Sequence, residues 1–156
     1  MSDGPVLEMA VLCENATVDA ETQRPTLIGV FSRVGAPSLP AAFGPRILAL
    51  EFWGRPYSNV RFALRFSGPS FPRPITSPVQ EVEIERHGFV SFGAEIGGIQ
   101  LSAEGEHGID VLDEDGARFG GARFVVSVVS APEAQALDGA DPGGAAGGLP
   151  GAGPAA

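Results

Sequence analysis

Residues 105–129, GEHGIDVLDEDGARFGGARFVVSVV, constrain the fold more than any other stretch of this chain. Ile109 and Val111 alternate with small or polar neighbours, the two-residue period of a strand with one buried face. Asp113-Glu114-Asp115-Gly116 then supplies a turn, because glycine takes positive φ at little steric cost. The chain returns through Phe124, Val126 and Val128, which alternate with Val125, Ser127 and Val129. Asp-Gly between alternating apolar runs predicts a β-hairpin. The return arm is apolar on both faces after Arg123, so it is expected inside a sheet and covered from both sides.

The rest of the chain repeats this period. Residues 6–18 read as a first strand with Leu7, Met9, Val11 and Cys13 in one register. Residues 26–34 read as a second, and the polar stretch 19–25 joins the two as a hairpin. Residues 35–45, GAPSLPAAFGP, suit a crossing between sheets. A third strand at 46–53 points Leu48, Leu50 and Phe52 inward. A fourth at 58–66 sets Phe62, Leu64 and Phe66 against Arg61, Ala63 and Arg65.

Residues 67–78 hold four prolines, and proline cannot donate to a central ladder, so a loop or frayed edge is expected there. Residues 79–86 alternate again, with Val82 and Ile84 inward. Glu81, Glu83 and Glu85 point outward, where charge discourages edge-to-edge pairing. His87-Gly88 turns into a short strand at 89–92. Residues 93–102 read as a loop in which Ile99 and Leu101 plug an open end.

No stretch keeps apolar residues at helical spacing for three turns. The prediction is an all-β, two-sheet antiparallel β-sandwich of seven or eight strands, Ig-like in the broad sense. A closed barrel is the next alternative. A single cysteine, Cys13, excludes an inter-sheet disulfide.

Charge and length narrow the function classes. The 156 residues suit one domain. The formal charge is −9, which repels phosphate backbones and argues against nucleic-acid binding. All ten basic residues are arginine, so lysine Schiff-base chemistry is excluded. The N-terminal residues lack a basic signal-peptide region, and no apolar run approaches the roughly 18 residues of a membrane helix. A cytoplasmic protein without membrane contact is expected. After residue 130 the composition shifts. Ala, Gly and Pro supply 20 of the last 26 residues, too little apolar surface to offset ordering entropy. The expected division is a folded domain at 1–130 and a disordered tail at 131–156.

Four groups of residues carry candidate chemistry. Asp110, Asp113, Glu114 and Asp115 offer carboxylate oxygens suited to calcium, although a solvated turn explains residues 113–116 without an ion. His87 and His107 are the only histidines. A hydrolase or metal-dependent enzyme would draw on His107, Asp110 and Cys13. No G-x-S-x-G elbow accompanies them, and one cysteine with two distant histidines is a poor zinc set. Trp53, Arg55 and Tyr57 cluster in the turn FWGRPY. Aromatic residues and arginine together suit a partner surface, unless the rings cap the end of the core. Residues 67–78 also offer a polyproline II ligand.

Residues 10–40, AVLCENATVDAETQRPTLIGVFSRVGAPSLP, resemble the opening of a family of small uncharacterised bacterial proteins. The resemblance rests on Cys13-Glu14 before a polar turn, on Leu27-Ile28-Gly29-Val30-Phe31, and on Ala36-Pro37. The closing hairpin also fits, with Gly105 ahead of it and Asp115-Gly116 at its turn. The resemblance spans about residues 7–129 and leaves out the tail. It implies an all-β sandwich and no activity. The long proline-rich loop at 67–78 and the Ala/Gly tail depart from the family pattern.

These observations point to a non-enzymatic protein-binding or adaptor module with no cofactor and no metal, and with Trp53, Arg55 and Tyr57 as the candidate partner surface. The alternatives are the small enzyme using His107 and Asp110, and a structural homo-oligomer joined through sheet edges.

Overall fold

A computed structural model describes residues 4–22 and 24–129, and every regular element among them is a strand. In chain order these are β1 (Val6–Cys13), β2 (Asn15–Val18), β3 (Pro25–Ile28), β4 (Arg33–Ala36), β5 (Ala41–Phe43), β6 (Arg46–Trp53) and β7 (Asn59–Ser67). There follow β8 (Ile75–Thr76), β9 (Gln80–Glu83), β10 (Phe89–Ile96), β11 (Ile99–Leu101), β12 (Gly105–Leu112) and β13 (Arg118–Val128). None of the described residues forms a helix, so none forms one long and apolar enough to cross a membrane.

The all-β expectation holds, but the strands fall into several sheets rather than two. A three-stranded sheet runs β1-β6-β10. A six-stranded sheet runs β4-β13-β12-β7-β8, with β9 also on β7, and curls into a half-barrel. Its hydrogen-bonded path ends at β4 and β8, so it does not close on itself. Two small ribbons, β2-β3 and β5-β11, complete the set. The pairing is antiparallel except at β4, which lies parallel to β13 with Val125 opposite Arg33.

One apolar core lies between the two large sheets. Leu48, Leu50 and Phe52 of β6 are buried, as are Phe62, Leu64 and Phe66 of β7 and Ile109 and Val111 of β12. Burying each of these side chains contributes about 1.5–3 kcal/mol. Phe52 is the hub. Its ring lies 5.5 Å from Phe62 and 5.2 Å from Phe119 on the opposite sheet, and 6.3 Å from Phe92 beside it. At one end the β5-β11 ribbon closes the core, with Phe43 stacked on Phe124 at 5.0 Å. Leu101 is buried there and Ile99 packs against it, in the plugging role their sequence suggests.

Several local expectations fail for identifiable reasons. The register of β1 shifts between Leu7 and Met9. A bulge of this kind moves every later side chain to the opposite face. Leu7, Ala10 and Leu12 therefore pack on the core, rather than Leu7, Met9 and Val11 together. The first hairpin forms, with Ala16 opposite Leu27 and Val18 opposite Pro25. Its arms do not run on as continuous strands, because each belongs to two sheets. β1 joins β6 and β4 joins β13, while β2 and β3 pair with each other between them. Gly29, at φ 69°, makes the corner on the return side.

β10 also runs on to Ile96 through Gly93, so residues 93–102 form two strands and a tight turn rather than a loop. The return arm β13 lies between β12 and β4 as expected. It is not covered on both faces, since Val125 and Val128 are exposed. Beyond Ser67, the last residue of β7, the proline-rich stretch 67–78 carries only the two-residue edge strand β8, in keeping with its missing amide donors. The tail at 131–156 lies outside the described residues.

Candidate functional site

The turn after β6 places the three residues of the candidate partner surface. Trp53 stands in a cross-strand row between Val6 of β1 and Phe89 of β10. That row faces away from the core. Trp53 stacks on Phe89 at 5.1 Å, and its Nε1–H donates to Glu51 Oε1 at 2.8 Å. The other oxygen of Glu51 accepts the Ser91 hydroxyl at 2.7 Å. The indole is thus held by one stack and one hydrogen bond, yet it remains 45% exposed. Capping of the core by Trp53 is not what the packing shows.

Tyr57 is 67% exposed and takes φ 65°, the only positive φ outside glycine among the described residues. A bulky residue in this region is strained. Two backbone bonds hold it there: Tyr57 N–H donates to Ile84 O at 2.7 Å, and Ser58 N–H to Arg55 O at 3.2 Å. Tyr57 lines a shallow cleft of about 440 Å³ with Glu83, Glu85 and Arg86. Arg55 is exposed at the centre of the turn.

A larger cleft of about 860 Å³ opens between the proline-rich segment and the turn joining β10 to β11. Phe66, Phe71, Ile75, Ile96 and Ile99 line its apolar wall and Arg73 its rim.

The histidines and acids separate. His107 is buried on the inner face of β12, whereas Asp110, three residues on, points to the outer face. The sheet itself stands between them. His107 instead meets Ser70, a residue from the proline-rich segment that its sequence context did not single out. Gly105 O can only accept, so His107 Nδ1–H donates to it at 2.9 Å and Nε2 is left as an acceptor. Ser70 O–H donates to that Nε2 at 2.6 Å. Ser70 Oγ in turn accepts the Ser102 and Ala103 N–H groups at 3.0 and 3.2 Å. Both lone pairs of the hydroxyl are used, so the pair clamps the 67–78 segment to β12. His107 also stacks on Phe124 at 5.4 Å. His87 lies exposed in the turn before β10, where its Nε2 accepts the Arg86 side chain at 3.2 Å.

Cys13 is fully buried. Burial pushes its thiol up, outweighing a backbone hydrogen bond from Asn15 that acts the other way. A reactive thiolate is therefore disfavoured.

The four acids of residues 110–115 do not converge. Asp113 Oδ1 accepts the Asp115 and Ala117 N–H groups, both at 2.8 Å, and so builds the turn itself. Asp110 is claimed by two arginines, Arg118 at 2.8 Å and Arg65 at 3.1 Å. Among the described residues no group of three or more His, Cys, Asp or Glu is placed to hold a metal ion.

Desolvation raises the Asp110 carboxyl, but the hydrogen bonds and charges of Arg118 and Arg65 outweigh it and hold the group below its usual value. A depressed folded pKa stabilises the fold above the unfolded value and loses that stabilisation as pH falls through the folded one. The guanidinium side chains are 39% and 49% exposed, so solvent screening limits the effect. Asp110→Asn is expected to cost about 1 kcal/mol at pH 7. The gap from wild type should narrow as pH falls through the lowered folded pKa of Asp110. Urea melts of both proteins across pH check this.

Two solved structures resemble the fold at low level. A β-glucosidase from Listeria innocua, crystallised in complex with glucose, matches 81% of this chain and 16% of its own, with 7% identity and a TM-score of 0.48. The alkylpurine DNA glycosylase AlkC of Pseudomonas fluorescens, bound to DNA containing an abasic site analog, matches 81% and 31%, with 8% identity and a TM-score of 0.47. This chain thus spans less than a third of either protein, and neither activity carries over. No curated protein matches the sequence. The sequence features that do find a match are those running from the first strand to the closing hairpin: over residues 8–127 they fit a family of unknown function, DUF6941, and the chain belongs to that family.

Proposed function

We propose that this chain is a non-enzymatic, cytoplasmic protein-binding module that engages its partner through the turn carrying Trp53, Arg55 and Tyr57. Its three-stranded and six-stranded sheets then act as an Ig-like sandwich in the broad sense, a rigid frame for an end loop. One observation carries the reading. An exposed tyrosine is held in a strained backbone conformation, beside an exposed tryptophan fixed by stacking and a hydrogen bond. Strain kept at an exposed aromatic fits preorganised recognition better than stability.

The reading predicts a trade between stability and binding. Tyr57→Gly relieves the positive φ and should raise stability by about 0.5–1 kcal/mol while weakening partner capture. Trp53→Ala should weaken capture with a stability loss of about 1 kcal/mol or less, since the ring lies outside the core. Urea midpoints and affinity capture from source-cell extract, run on the same variants, check both halves. A large loss of stability in either variant would return these residues to a purely structural role.

The Ser70–His107 contact favours a second reading, a serine hydrolase. A serine-directed fluorophosphonate probe tests it, and labelling at Ser70 would displace the binding reading.

A further inference from the structure

The outer face of the six-stranded sheet concentrates positive charge in an acidic protein. Residues directly opposite each other across strands share a face. Four consecutive rows on the face turned from the core each carry one arginine. The first joins Arg33, Val125 and Glu106; the second Arg123, Gly108 and Ser67. The third joins Gly121, Asp110 and Arg65; the fourth Arg118, Leu112 and Ala63. The only carboxylates in these rows are Glu106 and Asp110, against a formal charge of −9 for the whole chain.

The guanidinium groups gather over the middle strand, β12. Asp110 draws in Arg65 from one side and Arg118 from the other. Gly108 lets the third lie down, since a Cβ there would meet the Arg123 guanidinium at 2.8 Å. The side chains of Arg123 and Arg33 have no ion-pair or hydrogen-bond partner among the described residues. Arginines already held against a sheet lose less freedom when they meet carboxylates, and their planar forks suit carboxylate geometry.

We propose that this face docks an extended acidic polypeptide segment lying along β12. Successive rows are two residues apart along the strands, about 7 Å. Alternate side chains of an extended peptide have the same spacing, so successive carboxylates meet Arg33, then Arg123 over Gly108, then the Arg65 and Arg118 pair over Asp110. The match selects acids at alternate positions. The face lies on a different sheet from Trp53, so it is independent of the turn described above.

Fluorescence anisotropy with the full chain tests this, using a labelled peptide of alternating Glu and Thr as the probe. The peptide is expected to bind at low salt and to dissociate in 0.5 M salt, where the Debye length falls to about 4 Å from about 30 Å at 0.01 M. Arg33→Gln with Arg123→Gln should weaken binding about tenfold. Glu106→Gln should tighten it about threefold, an effect that a folding defect cannot mimic. Trp53→Ala should leave it unchanged. Absence of binding would overturn the proposal, as would indifference to the arginine and Glu106 substitutions. So would equally tight binding of a peptide with its glutamates in one block, or of an oligothymidylate that depends on the same arginines.

Discussion

Phe52→Ala is expected to lower the stability of the fold by about 3–5 kcal/mol, the range for truncating a fully buried phenylalanine. The ring is fully buried and touches Phe62 and Phe119 across the core and Phe92 alongside it. Its removal therefore leaves a void walled by three other aromatic rings from three strands, which the sheet backbones cannot collapse to fill. A domain of this size has about 5–15 kcal/mol in total, so the variant should lose a large fraction of its stability and melt well below wild type. Phe52→Leu retains much of the volume and should cost about 1–2 kcal/mol. Denaturant melts of the pair separate lost volume from lost aromatic contact. A cost for Phe52→Ala below about 1 kcal/mol would mean that the two large sheets do not share this core.

The second large effect is expected at the Ser70–His107 clamp. His107→Ala removes a buried ring stacked on Phe124 and the acceptor of the Ser70 hydroxyl. The loss should be about 3–4 kcal/mol, combining the void with unmade hydrogen bonds. Ser70→Ala strands the Ser102 and Ala103 N–H groups and should cost about 2–3 kcal/mol. Because the two residues share one network, the double variant should cost less than the sum, with a coupling of about 1–2 kcal/mol. Unfolding measurements on the two singles and the double supply the cycle. Strict additivity would show that the clamp is not one unit. The proline-rich segment should also become the first region cut by protease in either single variant, since the clamp is its main attachment to β12.

Strand positions were legible wherever alternation met a turn signal. β6, β7, β12 and β13 lie where period two and the flanking Gly, Pro or Asp place them, and Phe62, Leu64 and Phe66 face inward as their spacing requires. The bulge after Leu7 was not legible, because Glu8 between Leu7 and Met9 fits an unbroken two-residue alternation as well as it fits a bulge. The switch of the first hairpin between two sheets was only half visible. Gly29 marks the corner, but nothing local reports that β4 will pair in parallel with a strand some ninety residues on, a contact set by tertiary packing.

The candidate site divides in the same way. Trp53 and Tyr57 could be found from the turn that carries them, whereas the strained φ of Tyr57 has no sequence mark. The separation of His107 from Asp110 was readable in principle, since residues three apart on a strand face opposite sides. Ser70 was not, because a serine between prolines reads as surface loop. The row of arginines emerges only once β4, β13, β12 and β7 are set side by side.

The central claim, that the Trp53–Tyr57 turn meets a protein partner, is tested most directly by a photo-crosslinking residue at position 55. Arg55 is exposed at the middle of the turn, so the substitution leaves the core untouched. Illumination in source-cell extract should give one discrete adduct from position 55, and Tyr57→Gly in the same chain should abolish it. No adduct at 55, with adducts forming from a control position on the outer face of β13, would contradict the account.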